Sequence, residues 1–122
     1  MGGVTLRNRV AHASIVTRFV QNGEATDPLI HYYQSRALGG AGMIVGEPLA
    51  MISANKDPRR LRVYDDHGMA SLQRLAEAVE QHDCRLLGQA QDPGRGRHEA
   101  GRNDSAIGVS ALPDDLSWTV PH

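Results

Sequence analysis

The chain has 122 residues, 40% of them hydrophobic and 22% charged, a mix that excludes a disordered or low-complexity segment and fits one soluble domain. Thirteen Lys and Arg against fourteen Asp and Glu leave a formal charge of -1, so no overall field draws the chain to nucleic acid or to an anionic membrane surface. Cys84, the single cysteine, excludes an intrachain disulfide and fits a reducing cytoplasm; no run approaches the roughly 20 apolar residues of a membrane helix, and no leader peptide is expected behind Met1-Gly2-Gly3.

Residues 9–16 are short, largely apolar and β-compatible, and predict a first strand. A polar loop over residues 21–26 ends in Asp27-Pro28, with Thr26 or Asp27 as helix N-cap and Pro28 in the first turn, where a missing N–H costs nothing. Leu29, Ile30, Tyr33 and Ala37 then recur at helical spacing until Gly39-Gly40 stops the helix. Met43-Ile44-Val45 is an unbroken apolar run of the kind covered on both faces, and predicts a second strand. A loop is expected over residues 47–64. Asp65-Asp66 then opens a second helix, suited to its positive N-terminal end, with apolar positions Met69, Leu72, Leu75, Ala76 and Val79. Residues 84–90 predict a third buried strand. Strict alternation of three strands and two helices predicts a parallel sheet built from right-handed crossovers. Residues 91–122 have no sustained period and read as a long loop, with a short hairpin around residues 109–120.

In parallel β/α proteins ligands sit at the carboxyl ends of the strands, which directs attention to residues 13–18, 46–50 and 89–95. Those segments hold no nucleophile-base-acid set and no His or Cys pair with metal-ligand spacing. They do offer groups suited to a planar, polar cofactor: the Gln89 amide, the Thr17 hydroxyl, and backbone groups at Ala13, Ser14 and Pro48.

Other chemistry-bearing residues have structural readings. Gly39-Gly40-Ala41-Gly42 could cradle a phosphate, but it follows a helix and precedes a strand, the wrong polarity for a dinucleotide fingerprint, and reads as a helix cap and tight turn. Asp65-Asp66-His67 reads as capping rather than a metal set, and His12 as a hydrogen-bonded core histidine. Arg95, Arg97 and His98 could meet a phosphate or form a solvated loop face. Gln89 could equally satisfy backbone at a strand end. Cys84, beside Asp83 rather than a cation, reads as an inert thiol.

Together the motifs resemble the Old Yellow Enzyme family of FMN-dependent oxidoreductases, the NADH:flavin oxidoreductase group. Four pieces in chain order carry the resemblance. They are Leu6-Arg7-Asn8-Arg9-Val10; Tyr32-Tyr33 with Arg36-Ala37-Leu38-Gly39-Gly40-Ala41-Gly42-Met43-Ile44-Val45 and Glu47; Val63-Tyr64-Asp65-Asp66; and Arg85-Leu86-Leu87-Gly88-Gln89 with Pro93-Gly94-Arg95 and Val109-Ser110-Ala111-Leu112-Pro113.

The resemblance implies a (β/α)8 TIM barrel carrying FMN at its C-terminal face, with hydride passing from NAD(P)H through FMN to an activated alkene or similar small-molecule acceptor. It implies that Ala13, Ser14, Ile15 and Thr17 form a wall against the flavin ring, that Pro48 stands where a small residue touches it, and that Gln89 is the glutamine that hydrogen-bonds its pyrimidine edge. An amide both donates and accepts, as that edge requires.

Ala13-Ser14-Ile15 replaces the more usual Ala-Pro-Met, Ile15-Val16 lacks the polar or sulfur side chain some members place near the flavin, and Asp92 stands in place of a histidine. The family's substrate-binding His/Asn or His/His pair, its proton-donating tyrosine and its phosphate-gripping arginines and glycines belong to later strands, so no catalytic residue is assigned here. A complete barrel takes roughly 250 residues, and residues 1–122 correspond to its N-terminal β/α units, incomplete as a barrel. The alternative expectation is a catalytically inactive truncated remnant that self-associates through an open sheet edge.

Overall fold

The computed structural model describes residues 2–53, 57–92, 101–103, 108–113 and 119–121. The chain divides into two compact units, Met1–Gln91 and Asp92–His122.

In the first unit the elements are β1 (Ala11–His12), α1 (Asp27–Leu38), β2 (Met43–Ala50), β3 (Leu61–Arg62), a 3-10 turn (Asp66–Gly68), α2 (Met69–Glu80) and β4 (Arg85–Gln91). All sheet pairings are parallel. β2 is central: β1 pairs with its start and β3 with its end along one edge, while β4 runs along the other. The strand-helix alternation read from the sequence is present, and the two helices pack on one another and on one face of the sheet.

Local chemistry explains the elements. Thr26 is the N-cap of α1 and Pro28 lies in its first turn. The predicted stripe Leu29, Ile30, Tyr33 and Ala37 is buried in full. It meets Leu75, Ala78 and Val79 of α2 with Ile44, Leu61 and Cys84 from the strand side, each large apolar side chain contributing about 1.5–3 kcal/mol on burial. Asp65 caps the second helical segment by accepting from the His67 N–H, as the capping reading expects. Ser71, buried on α2, accepts from the Ala25 N–H and donates to the Gly68 carbonyl, both at 2.9 Å.

The end of α1 is built by residues far away in sequence. Arg7 donates from one guanidinium nitrogen to the carbonyls of Ala37 at 2.6 Å and Ala41 at 2.9 Å, and Asn8 donates to that of Gly40 at 2.8 Å. These carbonyls belong to the helix end and the turn after it, where partners from within the helix run out. Gly39 is the C-cap and Gly40 takes φ of +105°, a conformation that glycine adopts without strain. A Cβ on Gly42 would lie 2.6 Å from Asn8 Oδ1 and 2.9 Å from its backbone oxygen. The glycine tract is thus a cap and a close crossing, and no phosphate cradle is needed to explain it.

Four expectations require correction. The first strand is laddered only over Ala11–His12, because beyond His12 the chain meets β2 through the side chains of Ser14 and Thr17 instead of a backbone ladder. The loop expected over residues 47–64 is partly sheet, since β2 continues to Ala50 and Leu61–Arg62 adds a fourth strand beside it. The third predicted strand, β4, is not a buried strand: Arg85 and Gln89 are exposed on the face away from the helices, and Gly88 and Ala90 are exposed on the face they share with Leu86, because only Leu86 of β4 packs against the helix-side core. In the second unit, β5 (Gly101–Asn103) and β6 (Thr119–Pro121) pair in parallel, not as a hairpin near residues 109–120. Parallel strands need a connection of a dozen or more residues, which this spacing supplies.

Candidate functional site

The central feature is a β-bulge in β2. Val45 stands opposite Leu87 and Pro48 opposite Gln89, so three steps along β2 match two along β4. The extra residue falls at Gly46-Glu47, just ahead of a proline that cannot donate to a ladder.

Both bulge residues hold groups from other elements. The Gly46 carbonyl accepts from Ser14 Oγ at 2.8 Å. The Glu47 N–H donates to the Tyr33 hydroxyl at 2.8 Å, and Glu47 Oε2 accepts from both the N–H and the hydroxyl of Thr17, each at 2.8 Å. Glu47 is 2% exposed, and its other oxygen, Oε1, has no hydrogen-bond partner among the described residues. Burial, opposed by the hydrogen bond from the Glu47 N–H and reinforced by the Glu47 charge, pushes the Tyr33 hydroxyl up to about 12.

Thr17 completes a sharp turn. Its hydroxyl accepts from the Phe19 N–H at 3.2 Å, and Arg18 between them has φ of +64°, a left-handed conformation uncommon for a residue with a side chain. The loop so held presents Ile15 and Val16 outward, 52% and 49% exposed. Ala13 is exposed and Ser14 half-buried.

Across β2, Pro48 is buried and Gln89 exposed. Leu86 of β4 packs against the helix-facing core, so alternation puts Gln89 on the opposite face. The Gln89 amide takes no hydrogen bond among the described residues, so it is not used to satisfy the strand end.

The predicted residues Ala13, Ser14, Ile15, Thr17, Pro48 and Gln89 therefore lie on three adjacent strands or their exits. Ser14 and Thr17 have spent their hydroxyl protons on the protein, whereas Gln89 has not spent its amide. Among the cavities outside this set are a groove of about 570 Å³ lined by Arg60, Arg62, Tyr64 and His67 among others, and an apolar cavity of about 200 Å³ bounded by Glu47, Leu61, Leu72 and Leu86 among others.

His12 is half-buried and lies edge-on to Tyr32 and Tyr33, with Nε2 3.4 Å from the Tyr32 hydroxyl and Nδ1 without a hydrogen-bond partner among the described residues. Cys84 is fully buried, and burial raises its thiol despite a nearby charge on Arg7 that the sequence did not reveal. No group of three or more candidate metal ligands forms among the described residues, and no described helix is long and apolar enough to cross a membrane. Arg95, Arg97 and His98 lie outside the described residues.

The sequence places Glu47 within residues 46–50 after the second strand and in a motif of the resemblance, but does not reveal its link to Thr17 and Tyr33. A lone carboxylate at the end of an apolar run, directly before proline, was the available signal.

Residues 1–119 match the NADH:flavin oxidoreductase / NADH oxidase family. The chain belongs to this family. It is 32% identical over 121 residues to a metal reductase of Desulforamulus reducens, covering 99% of this chain and 18% of that protein. It is 27% identical over 124 residues to an NADPH dehydrogenase of Bacillus cytotoxicus, covering 97% of this chain and 34% of the relative. Among solved structures, morphinone reductase in complex with tetrahydroNAD aligns with a TM-score of 0.80 at 25% identity, over 93% of this chain and 32% of that one. The chain thus spans about a fifth to a third of the length of these relatives, and its four-stranded sheet is the family's barrel architecture in part, not a closed barrel.

Proposed function

We propose that the chain supplies the wall of an FMN site in an oxidoreductase that passes hydride from NAD(P)H to an activated alkene or similar small-molecule acceptor. The observation that carries this reading is the pairing of two complementary surfaces across β2. An outward apolar segment, Ile15-Val16, lies on one side, and an unengaged amide, Gln89, lies on the other with Pro48 opposite it in the ladder. A flavin presents an apolar ring system and a pyrimidine edge that both donates and accepts, so the residues present fit the group. When bound, FMN supplies the hydride-accepting and hydride-donating chemistry. The chain's own residues bind and orient: Ile15, Val16 and Pro48 exclude water from the ring, Ser14 and Thr17 hold the backbone that presents it, and Gln89 reads the polar edge.

Membership of the NADH:flavin oxidoreductase family and the tetrahydroNAD complex of morphinone reductase support the choice of FMN and a nicotinamide reductant. The unpaired, buried Cys84 supports a cytoplasmic setting.

The reading is tested by titrating the chain into FMN and following flavin fluorescence. Saturable quenching is expected, weakened about tenfold in Gln89→Ala, equivalent to roughly 1.4 kcal/mol. Fluorescence unchanged to millimolar chain would overturn it.

A second reading, self-association, has one observation in its favour: β4 pairs only with β2 among the described residues, leaving its other edge open. Light scattering that reports a monomer at all concentrations would remove it.

A further inference from the structure

We infer that Glu47 is a positioning residue, whose buried carboxylate fixes the conformation of the Ser14–Thr17 segment and so sets how that segment meets a flavin; this rests on the FMN reading above.

Burying a carboxylate is costly unless its charge is compensated. Glu47 is 2% exposed, no salt bridge reaches it, and Oε1 is left without a hydrogen-bond partner among the described residues. An apolar residue of similar volume would pack the cavity beside Leu61, Leu72 and Leu86 at no such cost. What an apolar residue could not provide is a double acceptor: Oε2 takes both the N–H and the hydroxyl of Thr17 at 2.8 Å. Charge-assisted hydrogen bonds of this kind are roughly twice as strong as neutral ones.

The bulge makes the contact available. By inserting one residue it takes the Glu47 N–H out of the ladder and gives it to Tyr33, which ties Glu47 to α1. It also presents the Gly46 carbonyl to Ser14. The exit from β1 is consequently held at both ends, by Ser14 on Gly46 and Thr17 on Glu47, with Ile15 and Val16 between the anchors and facing out. Beyond the second anchor Arg18 occupies the left-handed region. Such a conformation costs on the order of 1–3 kcal/mol and persists only where neighbouring contacts impose it. The two bonds to Glu47 and the Phe19 N–H bond to Thr17 Oγ1 are those contacts.

The test compares Glu47→Leu, Glu47→Gln and Thr17→Val in the chain by two measurements: amide hydrogen exchange, with Ile44 as the reporter of global opening, and FMN affinity by fluorescence. Glu47→Leu is expected to speed exchange at Thr17 and Phe19 at least tenfold relative to Ile44 and to weaken FMN at least tenfold. Glu47→Gln keeps an accepting oxygen and is expected to restore both to within about threefold. Thr17→Val retains the N–H bond, is the variant to read if Glu47→Leu fails to fold, and is expected to give an intermediate loss in both measurements. Unchanged exchange at Thr17 and Phe19 in the folded variants would overturn the clamp itself. Faster exchange with unchanged FMN affinity would overturn the positioning role while leaving the flavin reading intact. Absence of FMN binding by the unsubstituted chain overturns both the flavin reading and the positioning role that rests on it, even where exchange shows that the clamp exists.

Discussion

The two flanks of β2 carry residues assigned to the same cofactor and treat them in opposite ways. On the β1 flank the Ser14 and Thr17 hydroxyls are committed, Ser14 to Gly46 and Thr17 to Glu47, with Arg7 and Asn8 holding the end of α1 beside them. On the β4 flank Arg85 and Gln89, facing away from the helices, are exposed, and the Gln89 amide has no hydrogen-bond partner among the described residues. Polar groups bound internally give a rigid, apolar outward surface. Polar groups left unbound give a surface that can form specific hydrogen bonds. The first flank supplies shape and the second supplies recognition, a division that follows from where the side chains have already found partners.

The sharpest way to break this contrast is to compare the covered helix face of the central strand with the open face of β4. Ile44, fully buried on the helix face of β2, is expected to cost about 2–5 kcal/mol as Ile44→Ala. Arg85, exposed on β4, is expected to change stability by less than about 0.5 kcal/mol as Arg85→Ala. Urea unfolding midpoints measured side by side decide it, and equal losses would show that the β4 flank is not the open one.

A smaller effect is expected from Gly42→Ala, where the added methyl would meet Asn8 Oδ1 at 2.6 Å and backbone atoms of Asn8 beyond it. Overpacking of this kind costs about 1–3 kcal/mol, and the thermal midpoint should fall accordingly. Arg7→Met retains an apolar stem but removes both bonds to the Ala37 and Ala41 carbonyls. About 1–2 kcal/mol is expected for the loss, with amide exchange rising locally in the turn after α1 and not in α2.

The smallest effect is confined to alkaline pH. The Tyr33 hydroxyl is raised from 10.0 to about 12, by burial first and then by the Glu47 charge. A raised value means that the folded state holds the proton more tightly than the unfolded chain. The corresponding stability is therefore complete below pH 10 and is lost as pH rises from 10 to about 12. Tyr33→Phe should flatten the fall in stability across that window, as measured by denaturant titration at stepped pH.

Much of the fold was legible because it rests on local pattern. The stripe Leu29, Ile30, Tyr33 and Ala37 predicts both the helix and its buried face, since 3.6-residue spacing admits one apolar side. Pro28 and Gly39-Gly40 bound it for equally local reasons. The exposure of β4 was not legible. Leu86-Leu87 reads as a strand covered twice, yet coverage depends on what lies across the sheet, which no window along the chain contains.

The candidate site divides in the same way. Gln89 and the segment after the first strand follow from strand ends, which a sequence can locate, and their assignment to a flavin came from a resemblance in motif. The sequence by itself determined the alternation of strands and helices, the helix caps and the parallel order, because each depends on residues within a few positions of one another. Only the tertiary structure decided that Arg7 and Asn8 close a helix some 30 residues on, that Leu61–Arg62 is a strand, and that Glu47 holds Thr17. Those outcomes turn on single hydrogen bonds between segments 30 or more residues apart or on a one-residue slip in register. Neither leaves a periodic trace in the chain, because the partners are set by packing in three dimensions.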